Sequence, residues 1–214
     1  MLYISGVNFL ALALRLQFWT TIQLMLNNDS GLRIDNGFMV GARQVASPNH
    51  DPRPQQQSPD LLVVHCIALP PEQYGGQGIE QLFTNQLDPN EHPYYQDIAN
   101  LKVSAHLLIR RDGELVQFVN FDQRAWHAGE SSFEGRQACN DFSIGIELEG
   151  TDTDSYEAIQ YQQLARVSRL LLDYYPSMSL SRITGHETIA PNRKTDPGVG
   201  FDWDHFHHTL ASIE

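Results

Sequence analysis

Leu61-Leu62-Val63-Val64-His65 is a run of four aliphatic residues closed by an imidazole. Consecutive apolar residues of this kind read as a strand buried on both faces, the pattern of a sheet covered by other layers. The strand delivers His65 at its C-terminal end. Residues 47–60, Ser-Pro-Asn-His-Asp-Pro-Arg-Pro-Gln-Gln-Gln-Ser-Pro-Asp, form a Pro-rich entry loop ahead of it.

Outward from this strand the pattern changes. Ser143-Ile144-Gly145-Ile146-Glu147-Leu148-Glu149 alternates strictly. Ile144, Ile146 and Leu148 share a core face, while Gly145, Glu147 and Glu149 share the other. Ala105–Arg110 and Glu114–Val119 flank Arg111-Asp112-Gly113, and the Asp-Gly pair predicts a hairpin. Tyr156, Ile159, Leu164, Val167, Leu171 and Tyr174 recur at helical spacing, predicting a helix over 156–175 capped by Asp154 or Ser155 and stopped by Pro176. Shorter helices are expected within 75–87 and over 201–210, and a short strand over 182–186. Residues 88–100 and 121–140 read as loops. These elements predict a single-domain α/β fold, a central mixed β-sheet flanked by a few helices.

The chain has 214 residues, enough for one domain with a sizeable core. Fourteen basic against 26 acidic residues give a formal charge of −12, which argues against a nucleic-acid partner because phosphate binding needs clustered Lys and Arg. Two cysteines, Cys66 and Cys139, make no disulfide framework and favour a reducing compartment. Residues 1–26 are apolar-rich with Arg15 as their one charged residue. They lack the basic start of a signal peptide and the basic face of an interfacial helix. A spanning helix would bury Arg15 at a cost of roughly 2.5–3.5 kcal/mol. An extension outside the domain, an export or membrane element, and an ordered packing helix all stay open. The first is preferred, with residues 1–30 as the extension, Met25 or Met39 as alternative starts, and no stable membrane anchor expected.

Val63-Val64-His65 and Gly185-His186, with Lys194-Thr195-Asp196-Pro197-Gly198, supply two imidazoles, a carboxylate and an ammonium. That is the inventory of a hydrolytic zinc site with one position left for water. No local spacing rule joins the histidines, and each alone reads more readily as a hydrogen-bonded core residue than as a ligand. Glu147, beside the side-chain-free Gly145, faces space where a carboxylate can serve as a proton acceptor. The residue before a proline is pushed towards extended backbone, which puts Lys194 and Asp196 on one side of the chain. The cluster Asp204-His205-Phe206-His207-His208 suits a solvated helix face and is set aside.

The motifs Leu-Leu-Val-Val-His at 61–65, Val-Ser-Ala-His at 103–106, Arg-Arg-Asp-Gly-Glu at 110–114, Arg-Ala-Trp-His-Ala-Gly at 124–129, Cys-Asn-Asp-Phe-Ser-Ile-Gly-Ile-Glu-Leu-Glu-Gly-Thr at 139–151 and Gly-His…Lys-Thr-Asp-Pro-Gly at 185–198 resemble the AmpD family. These are zinc amidases, in the superfamily that includes phage lysozyme-type amidases and peptidoglycan recognition proteins. The likeness runs over 39–210. It implies His65, His186 and Asp196 as ligands of Zn²⁺, Glu147 as proton acceptor and Lys194 as stabiliser of the transition state. It points to Tyr94 and Trp126 as walls of the sugar and peptide groove, with Lys102 contributing charge. The implied reaction is cleavage of the amide between the lactyl group of 1,6-anhydro-N-acetylmuramic acid and L-Ala, in cytoplasmic muropeptides released by wall turnover. Three positions depart from the family pattern: Cys66 replaces Asn, Lys102 replaces Arg and Ala138 replaces a second Arg. Lys102 keeps charge but loses a planar bidentate fork. Two rivals are an exported amidase acting on intact peptidoglycan and a recognition module that binds without cutting.

If residues 1–30 are an extension, a chain begun at Met25 retains fold and activity. Circular dichroism and amide hydrolysis check this. Loss of folding would place Phe9, Leu10, Leu12 and Trp19 in the core.

Overall fold

The computed structural model describes residues 31–213, so the expectations for residues 1–30 lie outside the described residues. Six strands form the central sheet: β1 (Arg43–Gln44), β2 (Leu61–Ile67), β3 (Leu107–Ile109), β4 (Leu115–Gln117), β5 (Ser143–Glu149) and β6 (Ile183–Gly185). Their spatial order is β6-β2-β5-β3-β4-β1. The pairs β6/β2, β2/β5, β5/β3 and β4/β1 are parallel, and β3/β4 is antiparallel, so the sheet is mixed, as its sequence pattern predicts. The antiparallel pair is the Asp-Gly hairpin, with Gly113 at φ 88° supplying the backbone that other residues resist.

Among the described residues, the sheet is accompanied by five α-helices: α1 (Gly78–Phe83), α2 (Tyr95–Ile98), α3 (Ala158–Tyr174), α4 (His186–Ile189) and α5 (Trp203–Ala211). Side-chain alternation sorts the two layers. Leu62, Val64, Ile144, Ile146, Leu148, Leu107 and Ile109 pack against Leu164, Val167 and Leu171 of α3 and against Phe206 and Leu210 of α5. Leu61 and Val63 point the other way, into a cluster with Ala128, Cys139, Phe142 and Ile189. His65 has their parity, so it emerges on the loop-covered face. Cys66 has the opposite parity and packs against the α3 layer. Both thiols are free.

The α3 cap differs from its sequence-based expectation. Glu157, not Asp154 or Ser155, caps the helix through a reciprocal box with Gln160, whose Oε1 accepts from the Glu157 amide at 3.0 Å. The fully buried Gln160 is the reason: its Nε2 also donates to the carbonyls of Ile109 (3.2 Å) and Glu149 (3.0 Å). One side chain thus closes the helix N-terminus and the C-terminal edges of β3 and β5. Residues 151–156 instead form a turn, with Tyr156 Oη donating to the carbonyls of Thr151 and Pro197. The 121–140 segment is more ordered than a loop: Gln123–Ala125 pairs with His50–Pro52, and Ser132–Phe133 pairs with Arg136–Gln137. A further ribbon, Arg33–Asp35 with Phe38–Val40, packs Ile34 and Met39 on the α3 side of the core.

Because α3 packs on the face opposite His65, damage there separates stability from chemistry. Leu164→Ala removes a fully buried side chain and is expected to cost about 2–5 kcal/mol. Urea unfolding measures the loss, and activity per folded molecule should be unchanged.

Candidate metal and active site

Parallel register lines up the candidate residues across three strands. Glu147 pairs with His65, and Gly185 pairs with Val64, so His186, next after Gly185, continues beside His65 on its other flank. Neighbouring strands lie about 4.8 Å apart, and the three side chains therefore form a row at the C-terminal end of the parallel strands, the usual place for ligands in such sheets. Asp196 reaches the row from the loop after α4, where its carbonyl accepts from the Glu187 amide at 2.9 Å.

His65 Nδ1 and His186 Nδ1 lie 2.9 Å apart, and each is 3.0 Å from Asp196 Oδ2. The three ligand atoms fall within 4.8 Å of one another. Burial pushes the His65 imidazole down to about 4, a shift opposed by Asp196 and reinforced by the nearby charges of His186 and Lys194. Neutral imidazoles and a carboxylate are the donor types that a hydrolytic zinc ion takes. The residues present therefore fit such an ion.

Glu147 is 9% exposed and its Oε2 has no hydrogen-bond partner. Burial first, and the Asp196 charge second, raise its carboxyl well above the usual carboxylate range, while Lys194 opposes the shift. An unpartnered carboxyl with raised proton affinity is suited to taking and returning a proton near neutral pH. Lys194 is exposed and lines, with Asp196, Tyr94, Cys66, Asp152 and Arg193, a cleft of about 490 Å³. Burial pushes the Cys66 thiol up to about 12, so it is a protonated wall of this cleft. A second concavity, of about 470 Å³ around Arg43, Glu80, Arg110 and Glu149, is charge-neutralised by ion pairs among those side chains.

The other sequence-derived positions lie further out. Lys102 is exposed on the segment after α2. Trp126 is half-buried, its Nε1 donating to Asp51 Oδ1 at 3.3 Å. Neither is a wall of the 490 Å³ cleft. Ala138 is exposed at φ 60° and leads into a tight turn over Cys139–Asp141.

The space beside Gly145 is not open. His127 occupies it: a Cβ on Gly145 would come within 2.5 Å of His127 Cγ. His127 Nδ1 lies 2.8 Å from His65 Nε2, and its own Nε2 lies 3.0 Å from Ser143 Oγ. Sequence reading passed over His127 because it stands in a stretch without periodicity. The side-chain-free position on the polar face of β5 was the available signal.

A family model described as N-acetylmuramoyl-L-alanine amidase matches residues 55–199, a span that contains every residue of the row. The chain belongs to this family. It is 60% identical over 181 residues, 85% of this chain and 98% of the relative, to the 1,6-anhydro-N-acetylmuramyl-L-alanine amidase AmpD of Escherichia coli K12. The crystal structure of a selenomethionine AmpD derivative superposes with a TM-score of 0.81 at 58% identity, covering 83% of this chain and 98% of that one. Pseudomonas aeruginosa AmpDh3, solved in complex with an anhydromuramic pentapeptide, matches at 27% identity with a TM-score of 0.53 over 71% of this chain and 59% of that chain.

The fit of His127 against the amidase β5 strand is testable through Gly145→Ala. The new methyl meets a ring held at both nitrogens, and overpacking of this kind costs about 1–3 kcal/mol. Thermal unfolding should show a lowered Tm.

Proposed function

We propose that the chain is a zinc-dependent N-acetylmuramoyl-L-alanine amidase of peptidoglycan recycling. It hydrolyses the amide between the lactyl group of 1,6-anhydro-N-acetylmuramic acid and L-Ala of soluble muropeptides. The observation that carries this reading is the convergence of His65, His186 and Asp196 beside a buried, unpartnered Glu147, in a chain of the amidase family. AmpD relatives that match almost end to end supply the substrate class.

Zinc held by His65, His186 and Asp196 would acidify the attacking water and polarise the amide carbonyl. Glu147 accepts the proton of that water and returns it to the leaving amine of L-Ala; its raised proton affinity suits both halves of the exchange. Lys194, on the cleft wall, offers an ammonium to the negative charge that develops on the carbonyl oxygen. Tyr94 lines the same cleft and is assigned to the substrate's sugar. Trp126 and Lys102 are assigned to the outer groove. The catalytic unit is assigned to residues 39–210, with residues 1–30 outside it. Two free thiols support a cytoplasmic setting, and among the described residues no helix is long and apolar enough to cross a membrane.

The roles separate by measurement. His186→Ala should lose most bound zinc together with activity, because two ligands rarely hold a competent site. Glu147→Gln and Lys194→Ala should keep zinc and lose roughly 10²–10⁴ in turnover. Metal content and initial rates, measured on the same samples, check both; loss of zinc from the Glu147 variant would make it a ligand instead.

The substrate assignment predicts that anhydromuramoyl-tripeptide is cleaved far faster than intact sacculi. A chain of formal charge −12 is repelled by an anionic wall polymer, whereas a small substrate needs one local cationic pocket. Product masses from both incubations decide it, and comparable specific activity on sacculi would favour an amidase of the wall itself.

A further inference from the structure

We propose that the dipeptide His127-Ala128, clamped by Asn140, is a positioning element that fixes the tautomers of both histidines of the metal set. The proposal rests on reading His65, His186 and Asp196 as a zinc site. Two backbone carbonyls decide the proton positions, because a carbonyl can only accept and a neutral imidazole carries one N–H and one lone pair.

The first carbonyl belongs to Ala128. It lies 3.1 Å from His186 Nε2, so the His186 proton sits on Nε2 and Nδ1 is bare. The second belongs to Cys139, and it accepts the Ser143 hydroxyl proton at 2.6 Å. With its hydrogen used there, Ser143 Oγ accepts from His127 Nε2–H at 3.0 Å. His127 Nδ1 is then a lone pair and accepts from His65 Nε2–H at 2.8 Å. His65 Nδ1 is therefore bare as well. The reverse order would leave Ser143 Oγ and the Cys139 carbonyl as two acceptors 2.6 Å apart, which is repulsive.

Two bare ring nitrogens now face each other at 2.9 Å, with Asp196 Oδ2 at 3.0 Å from each. Three lone-pair donors meet with no hydrogen between them, an arrangement that a cation relieves. The element producing it is itself held: Asn140 Oδ1 accepts the amide protons of both His127 (3.0 Å) and Ala128 (2.8 Å). One side-chain oxygen thus holds the backbone that carries the ring serving His65 and leads to the carbonyl serving His186, which Arg193 Nη2 also engages as a donor at 2.6 Å. Beneath it, Gly145 provides the space in which the His127 ring lies flush on β5. Partners of this kind orient metal-bound histidines, and removing one typically costs about 10–100-fold in metal affinity.

The test compares His127→Leu, which removes the acceptor, with His127→Asn, whose Oδ1 stands near the position of Nδ1. Zinc affinity of metal-free protein is measured by competition with a chromophoric chelator, and ring tautomers by long-range ¹⁵N–¹H correlation spectra of the histidines at about pH 7.5. The unchanged chain should show Nε2–H on both His65 and His186. His127→Leu should weaken zinc binding about 10–100-fold and leave His65 in mixed tautomers with His186 unaltered, while His127→Asn should restore affinity to within a few fold. Ser143→Ala, a smaller change that leaves His127 in place, should give mixed tautomers at His127 and His65. Undiminished zinc affinity in His127→Leu, or Nδ1–H on His65 in the unchanged metal-free chain, overturns the proposal. Absence of zinc binding by the unchanged chain would overturn the zinc reading instead, and the tautomer spectra would still decide the positioning role.

Discussion

Parallel pairing of β2 with β5, residue 61 opposite 143 through residue 67 opposite 149, is the constraint on which the site depends. A shift of one residue would turn His65 into the α3 core and Cys66 towards the loops, since strand side chains alternate. The apolar members of both strands prevent that shift. Leu62, Val64, Ile144, Ile146 and Leu148 are each at most 2% exposed against α3 and α5. The hydrophobic face therefore fixes the register, and the register fixes the distance between His65 and Glu147.

The polar face is built on a different principle, hydrogen bonding of groups removed from water. Arg53 is buried without a carboxylate partner, and burial lowers its guanidinium to about 10. It donates to the carbonyls of Phe121, Asn140, Asp141 and Ser143, joining the entry loop to the segment that carries Asn140 and to the start of β5. His106 sits below the same layer, its Nδ1 accepting from the Gly145 amide and its Nε2 facing the Gln123 carbonyl. Glu147 Oε2 and Arg53 Nε are the atoms of this layer left buried without a partner, and the first of them is a carboxylate oxygen beside the His65, His186 and Asp196 cluster.

What could be read from the chain alone follows from this division. The apolar runs at 61–64 and 144–148 carry their own periodicity, so the strands, their buried faces and the long α3 helix were legible. The Lys-Thr-Asp-Pro stretch and the two separated histidines gave the ligand types, and only the joint motif order tied them together. His127, Asn140, Ser143 and Arg53 were not legible as a unit. Each acts through a hydrogen bond to a residue or carbonyl distant in sequence, and no local pattern encodes such a partner. The α3 cap was misread for the same reason. Gln160 looks like a surface residue by type, yet it is fully buried because two sheet carbonyls require its amide.

The ligand candidates sit 121 and 131 residues after the first of them, measured from His65 to His186 and to Asp196. His186 and Asp196, ten residues apart, are held 3.0 Å from each other by the turn that bonds the Glu187 amide to the Asp196 carbonyl, whereas His65 joins them only through strand pairing. A growing polypeptide on the ribosome therefore lacks the three-group set until the last of these segments has been made and docked. Under the zinc reading, uptake would be a late event, completed only after β6 has docked beside β2. A bound ion would join the first strand of the parallel group to the last loop of the domain, and its binding free energy would add to that of the folded state alone.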